Sequence, residues 1–131
     1  MYKIMVFLLM SIFSFSAFAA DRNINNHCKS EWGTDYEMLE YCIKNQEEAK
    51  RNIDKMNISS EVLRRCENEW NTNYEMLEYC IKNQEEAKNN LRNKIISPEI
   101  SQKCKNEWGK NYEMVDYCVK NQEDAKRNLG Y

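Results

Sequence analysis

The chain has 131 residues, and its 19 basic and 21 acidic side chains give it a formal charge of −2. It contains no basic cluster that could displace counterions from phosphates or hold anionic lipid. Composition therefore argues against nucleic-acid binding and against a polybasic membrane contact.

The first nineteen residues predict an export signal. Lys3 supplies a positive start, residues 4–15 form an apolar run, and Ala17-Phe18-Ala19 gives a small-x-small cleavage pattern. A membrane anchor is the alternative, but the apolar run is shorter than the roughly 20 residues that span a bilayer. We expect cleavage near Ala19 and a mature chain, without a membrane anchor, in the periplasm or outside the cell.

After this leader the chain consists of three copies of a 38-residue unit. A fixed period of this size indicates a repeat architecture, and we place the repeats at 20–57, 58–95 and 96–131 within one mature domain. Residues 36–50 and 74–88 are identical, and the third copy is more diverged.

Each repeat carries two cysteines fourteen positions apart. Paired cysteines in a small exported chain are typical of a disulfide framework, and the repeat favours pairing within each unit. The spacing lacks the short C-x-x-C pairs of zinc sites, so we expect neither a metal nor another cofactor. The predicted disulfides are Cys28 with Cys42, Cys66 with Cys80, and Cys104 with Cys118.

The first half of each repeat predicts a short helix. Asp21, Ser59 and Ser97 are candidate N-caps. An apolar residue, the first cysteine and a tryptophan then follow at steps of four, and we expect the tryptophan to pack over the disulfide rather than join a ladder of binding aromatics. The residues after the tryptophans tolerate the left-handed conformation that ends a helix, and they are Gly33, Asn71 and Gly109.

The second half of each repeat predicts a long helix, from Tyr36 to Met56 in the first copy. Thr34 with Glu37 fits a capping box, as does the equivalent pair in the second copy, whereas Asn111 is the candidate cap in the third. The apolar seam advances by three and four residues, through Leu39, Cys42, Gln46, Ala49, Ile53 and Met56 in the first copy.

The two helices differ in length, so the short helix covers only the near half of the long one. A neighbouring repeat is expected to bury the far half, with Tyr36 and Ile43 on a second contact surface. We therefore predict an all-α protein of three disulfide-stapled helical hairpins, stacked as a small solenoid or a closed bundle. Gln122, Ala125 and Leu129 are expected to form an exposed patch through which the last repeat could self-associate.

Two rows of residues are candidates for a binding role. The seam glutamines are interpreted as interhelical hydrogen bonds that set the register, and the alternative is a row of amides that faces a ligand. Tyr36 and Tyr41, with their equivalents in the other copies, either pack or contact a partner, since tyrosine is enriched at interfaces. The candidate partner-binding residues are Tyr36, Gln46, Tyr74, Gln84, Tyr112, Gln122 and Leu129.

No catalytic constellation is found, because the single histidine, His27, occurs in one copy and has no identifiable partner. We therefore expect a non-enzymatic exported protein that mediates protein–protein interaction. The alternative is an inhibitor or immunity protein that acts on a cell-envelope hydrolase such as a lysozyme. A thiol-based ligand or metal binder is a third class.

The unit Cys-x-x-Glu-Trp, a short turn, Tyr-x-Met, Tyr-Cys and Gln-x-x-Ala resembles segments of uncharacterised exported bacterial proteins. Its period is similar to that of Sel1-like cysteine-bridged repeats, whose pattern of small residues is absent here. The paired cysteines on helices also resemble those of small periplasmic lysozyme inhibitors, although this chain lacks their Asp-x-x-Leu-Asn signature. The resemblance implies a helical repeat and assigns no activity.

Overall fold

The computed structural model describes residues 21–131, and the predicted export signal lies outside them. The described part is all-α and has no strand, as predicted. None of its helices combines the length and apolar character needed to cross a bilayer. The helices are α1 (Arg22–Trp32), α2 (Tyr36–Lys55), α3 (Ser60–Trp70), α4 (Tyr74–Asn93), α5 (Pro98–Trp108) and α6 (Tyr112–Asn128).

The short helices begin and end where the sequence predicts. The side chain of Asp21 accepts a hydrogen bond from the backbone N–H of Asn23 at 2.9 Å, and serines occupy the N-cap positions of α3 and α5. Each helix ends in a residue of positive φ, which is +55° at Gly33, +40° at Asn71 and +58° at Gly109. The left-handed residue reverses the chain directly into the long helix.

The long helices are capped by a different residue from the one predicted in the first two repeats. Asp35 accepts from the backbone N–H of Met38 at 3.2 Å, and Asn73 and Asn111 cap α4 and α6 in the same way. The capping box at Thr34 and its equivalent is therefore wrong. Each long helix begins at a tyrosine, so the residue directly before it occupies the N-cap position, and the threonine lies one residue too early.

Each hairpin is closed by the disulfide predicted for it. The Cα–Cα distances are 5.7 Å for Cys28–Cys42 and 5.8 Å for Cys66–Cys80, and the third pair is at 5.7 Å. All six cysteines are buried. The antiparallel helices bring the two cysteines of each repeat level, as their distances from the turn predict.

The hairpins stack in an open row. Long helix α2 packs on α4 and α4 packs on α6, whereas the backbone of each short helix lies against that of its own long helix. Within residues 21–131, α2 and α6 do not contact each other, which excludes the closed bundle. Ile53 and Met56 pack against the core of the second repeat, and Leu91 and Ile96 against that of the third. The prediction that a neighbouring repeat buries the far half of a long helix is confirmed for α2 and α4.

The tryptophans are less buried than the sequence suggested. Trp32 and Trp108 remain 40% and 38% exposed, and only Trp70 packs partly against the core of its repeat. Each tryptophan is the last residue of a short helix, next to the turn of its hairpin. None of the three is fully buried over its disulfide.

Candidate interaction surfaces

A seam glutamine joins the first repeat to the second. Gln46 is 1% exposed, and its side-chain oxygen accepts a hydrogen bond from the backbone N–H of Tyr74 at 2.6 Å. Its amide nitrogen donates to Oδ1 of Asn73 at 3.0 Å and to Glu75 at 3.2 Å. The glutamine thus supplies an acceptor for a helix N-terminus that would otherwise hold unpaired N–H groups.

The second repeat makes the same contact with the third. Gln84 is 3% exposed, accepts from the backbone N–H of Tyr112 at 2.8 Å and donates to Oδ1 of Asn111 at 2.9 Å. We call this arrangement of glutamine, N-cap asparagine and tyrosine the amide contact. Two occurrences with the same donor and acceptor atoms confirm the predicted hydrogen bonds between helices.

The amide contact also determines which predicted partner-binding residues are accessible. Gln46 and Gln84 are buried between repeats and use both ends of their amides within the chain. Neither glutamine is therefore part of the surface that another molecule could reach. A partner could contact these enclosed amides only if two repeats separated.

Tyr112 lies partly buried at the junction of the second and third repeats. Its hydroxyl donates to Glu61 at 2.5 Å, and the ammonium of Lys88 lies 2.8 Å from Glu61 and 5.5 Å from the centre of the tyrosine ring. The hydrogen bond from Lys88, followed by that from Tyr112, lowers the pKa of Glu61 to about 2. Burial and the carboxylate of Glu61 raise the pKa of Tyr112 to about 12.

Tyr74 occupies the equivalent place between the first and second repeats. Lys50 lies 5.4 Å from the centre of its ring and forms an ion pair with Asp21. This hydrogen bond lowers the pKa of Asp21 and raises that of Lys50. In the first repeat Asn23 stands at the position that corresponds to Glu61 and offers no carboxylate. Lys50 therefore pairs with Asp21, the N-cap residue of α1.

The remaining predicted residues lie at the two ends of the row. Tyr36 is 76% exposed and Leu129 is 72% exposed, whereas Gln122 is partly exposed. The side-chain amide of Gln122 forms no hydrogen bond with any other residue of 21–131. The expected exposed patch at the last repeat is present, with Ala125 also at the surface.

The structure adds a third set of residues that the candidate list omitted. We define the tyrosine row as the residue before the second cysteine of each repeat, with 62% exposure at Tyr41 and 61% at Tyr79 and Tyr117. The neighbouring cysteine points at the short helix, and a step of one residue turns the side chain by about 100°. This phase difference from the seam could have identified the row in the sequence.

One member of the tyrosine row, Tyr79, borders a polar groove between α2 and α4. Tyr79 of α4 and Asn45, Glu48 and Asn52 of α2 are among the residues that line a cavity of about 370 Å³. Asn52 donates to Glu78 at 3.1 Å across this groove. Tyr79 thus presents an apolar ring and a polar hydroxyl among amides and carboxylates.

One cluster in the described region has the donor atoms of a metal site. It comprises His27, Glu31 and Cys42, with the histidine Nε2 at 3.7 Å from the Glu31 carboxylate. The sulfur of Cys42 is bonded to Cys28 and is not a thiolate. The chemistry of this donor set therefore does not fit a metal, because thiolates rather than disulfide sulfurs bind zinc.

No protein family, curated protein or solved structure matches this chain. Function must therefore be argued from the surfaces described above.

Proposed function

We propose that this protein is an exported, non-enzymatic interaction module that binds a protein partner through the tyrosine row. The observation that carries the proposal is the equal exposure, 61–62%, of Tyr41, Tyr79 and Tyr117 at one position of three stacked helices. Packed helices lie about 8–10 Å apart, so the three rings form a regular array.

Exposed tyrosines in such an array have the properties of an interface. Tyrosine offers a large apolar ring at a low entropic cost and a hydroxyl for hydrogen bonding, and it is enriched at protein–protein contacts. The rings stand on helices that are fixed by disulfides and by the amide contact, so binding would require little ordering of the surface. Export is supported by three disulfides, which persist in oxidising compartments.

The proposal is tested by capture of a partner and by measurement of its affinity. The full chain is expressed with its leader, recovered from the exported fraction and used as bait in envelope and medium fractions of the source cell. A variant carrying serine at Tyr41, Tyr79 and Tyr117 should bind the captured protein at least about 100-fold more weakly, since a buried interfacial tyrosine commonly contributes about tenfold or more.

A matched control distinguishes this surface from the rest of the protein. Asn26, Arg64 and Gln102 also occur once per repeat and are exposed, but they lie on the short helices. Their combined replacement by serine should leave affinity unchanged. An equal loss in both variants, or no stoichiometric partner in either fraction, would contradict the proposal. If the captured protein is a cell-envelope hydrolase, its inhibition by the wild type would identify the inhibitor or immunity function.

A further inference from the structure

The two ends of the row expose the two halves of a contact that the repeats make internally. We define the N-terminal end face by Tyr36, Leu39 and Ile43 on α2, and the C-terminal end face by Gln122, Ala125 and Leu129 on and just after α6. In the middle of the row the equivalents of both faces are covered by a neighbouring repeat.

The N-terminal end face is the uncovered form of a buried surface. Leu39 and Ile43 are partly exposed, whereas the equivalent Leu77 and Ile81 are only 3% and 1% exposed beneath the first repeat. With Tyr36, they help to line a groove of about 450 Å³.

The C-terminal end face is the uncovered form of the opposite surface. Gln122 is partly exposed and Ala125 is exposed, whereas Gln84 and Ala87 are 3% and 6% exposed under the third repeat. Nearby, Lys126 lies 3.3 Å from Glu99. In the second repeat the equivalent Lys88 and Glu61 lie 2.8 Å apart. Glu61 accepts a hydrogen bond from the hydroxyl of Tyr112, and Lys88 lies over its ring.

We propose that the C-terminal end face of one copy binds the N-terminal end face of a second copy, placing the second copy where a fourth repeat would stack. In this position Gln122 accepts from the backbone N–H of Tyr36 and donates to Asp35, as in the amide contact. The tyrosine ring lies beside Lys126 with its hydroxyl at Glu99. Leu129 packs on Leu39 and Ile43.

A second copy is the occupant favoured by residue identity. Gln122, Ala125, Lys126 and Leu129 have the same identities as Gln84, Ala87, Lys88 and Leu91, which bind the third repeat. Residues 36–43 of the receiving face are identical to 74–81, which bind the first repeat. Each side of the proposed contact therefore already functions in an internal contact of this chain.

Charge supports the same pairing. The N-cap of the receiving helix is Asp35 rather than asparagine, and a carboxylate accepts more strongly than an amide oxygen from the Gln122 amide nitrogen. The contact is heterologous, so one face remains free on each end of a dimer. Assembly would continue the stack of repeats, and therefore the tyrosine row, from one copy to the next. This self-association does not depend on the proposed protein partner.

Sedimentation velocity of the exported full-chain product, from about 1 µM to 1 mM, tests the proposal over a range in which modest protein contacts dissociate. The wild type should associate with increasing concentration. Tyr36→Arg places a charge beside Lys126, and Leu129→Arg places one in the apolar groove. Each variant alone should associate at least about tenfold more weakly, as expected for loss of an interface anchor.

A mixture of the two variants tests directly whether the C-terminal end face of one copy binds the N-terminal end face of another. A Tyr36→Arg copy keeps its C-terminal end face and a Leu129→Arg copy keeps its N-terminal end face, so an equimolar mixture should form a one-to-one dimer of near wild-type affinity that does not grow further. Both substituted residues are more than 70% exposed in the single copy, so folding should be retained and is checked by circular dichroism.

Asn26→Arg is the matched control, since this residue is exposed on α1 and lies on neither end face. It should associate like the wild type. The proposal is overturned if the wild type stays monomeric at all concentrations, if either end-face variant associates normally, or if the mixture does not restore a dimer. A symmetrical pairing of like faces would give the second of these outcomes.

Discussion

The amide contact makes a quantitative prediction about Gln84. Replacing it with alanine removes two hydrogen bonds, of 2.8 Å from the backbone N–H of Tyr112 and 2.9 Å to Asn111. A net hydrogen bond contributes about 1 kcal/mol, and a donor left partly buried without an acceptor costs about 1 kcal/mol or more. We expect Gln84→Ala to lower the free energy of unfolding by about 2–3 kcal/mol.

Gln122 provides the matched control for this experiment. It occupies the same position of its repeat, but its side chain makes no hydrogen bond with another residue of 21–131. Gln122→Ala should therefore change the free energy of unfolding by less than about 0.5 kcal/mol in dilute protein. Urea unfolding without reductant measures both variants. The backbone N–H of Tyr112 should also exchange faster with solvent in Gln84→Ala. Equal stability of the two alanine variants would refute the assignment of the contact.

Three further predictions concern the staples and the charges of the stack. Replacing Cys66 and Cys80 with alanine should reduce the free energy of unfolding by about 3 kcal/mol, as expected for the closure of a loop of about 15 residues, with intact mass confirming that the other cysteines stay oxidised. Since the pKa of Glu61 is lowered to about 2, its ion pair should stabilise the protein fully above pH 4.5 and progressively less as the pH falls toward 2, so the melting temperature of Glu61→Gln should decline less over that interval. Since the pKa of Tyr112 is raised to about 12, one tyrosine should ionise late in an ultraviolet titration, and this late step should be absent from Tyr112→Phe. The stabilisation from the Tyr112 hydroxyl should be present below pH 10 and lost as the pH rises toward 12.

Each of these predictions has a clear contrary outcome. A cysteine double variant as stable as the wild type would mean that the loop is constrained by packing alone. If the melting temperatures of Glu61→Gln and the wild type fall equally with pH, the Glu61 carboxylate does not form the proposed ion pair at the junction of the second and third repeats. If no late-ionising tyrosine is seen in the wild type, the hydroxyl of Tyr112 is not held in the contact with Glu61.

Much of the fold could be predicted from the sequence because its signals are local and occur three times. The caps at Asp21 and Gly33, the four-residue steps of the short helix and the seam of the long helix each act within a few residues. The disulfides follow from the same regularity, since two cysteines at equal distances from a tight turn become level in an antiparallel pair. The cap of the long helix was missed at Thr34 because a shift of one residue changes no periodicity.

The interaction surfaces were harder to predict because they depend on where helices from different repeats lie. Gln46 could be recognised as a polar residue on an apolar seam, but its acceptor lies 27 residues away at Asn73. Of the chosen residues Tyr36, Tyr74 and Tyr112, only Tyr36 is exposed, because the other two lie where repeats meet. Tyr41 and its equivalents were omitted from the candidates, although their offset from the seam indicates exposure.

The sequence by itself determined the helical hairpins, their disulfides and the need for a neighbour over the far half of each long helix. Only the tertiary structure decided that the repeats form an open row, that the glutamines cap the next repeat, and that the tyrosine row and two end faces remain exposed. The physical reason is that periodicity sets the face that a helix buries, whereas the angle and height of one hairpin on the next come from contacts between residues far apart in the chain.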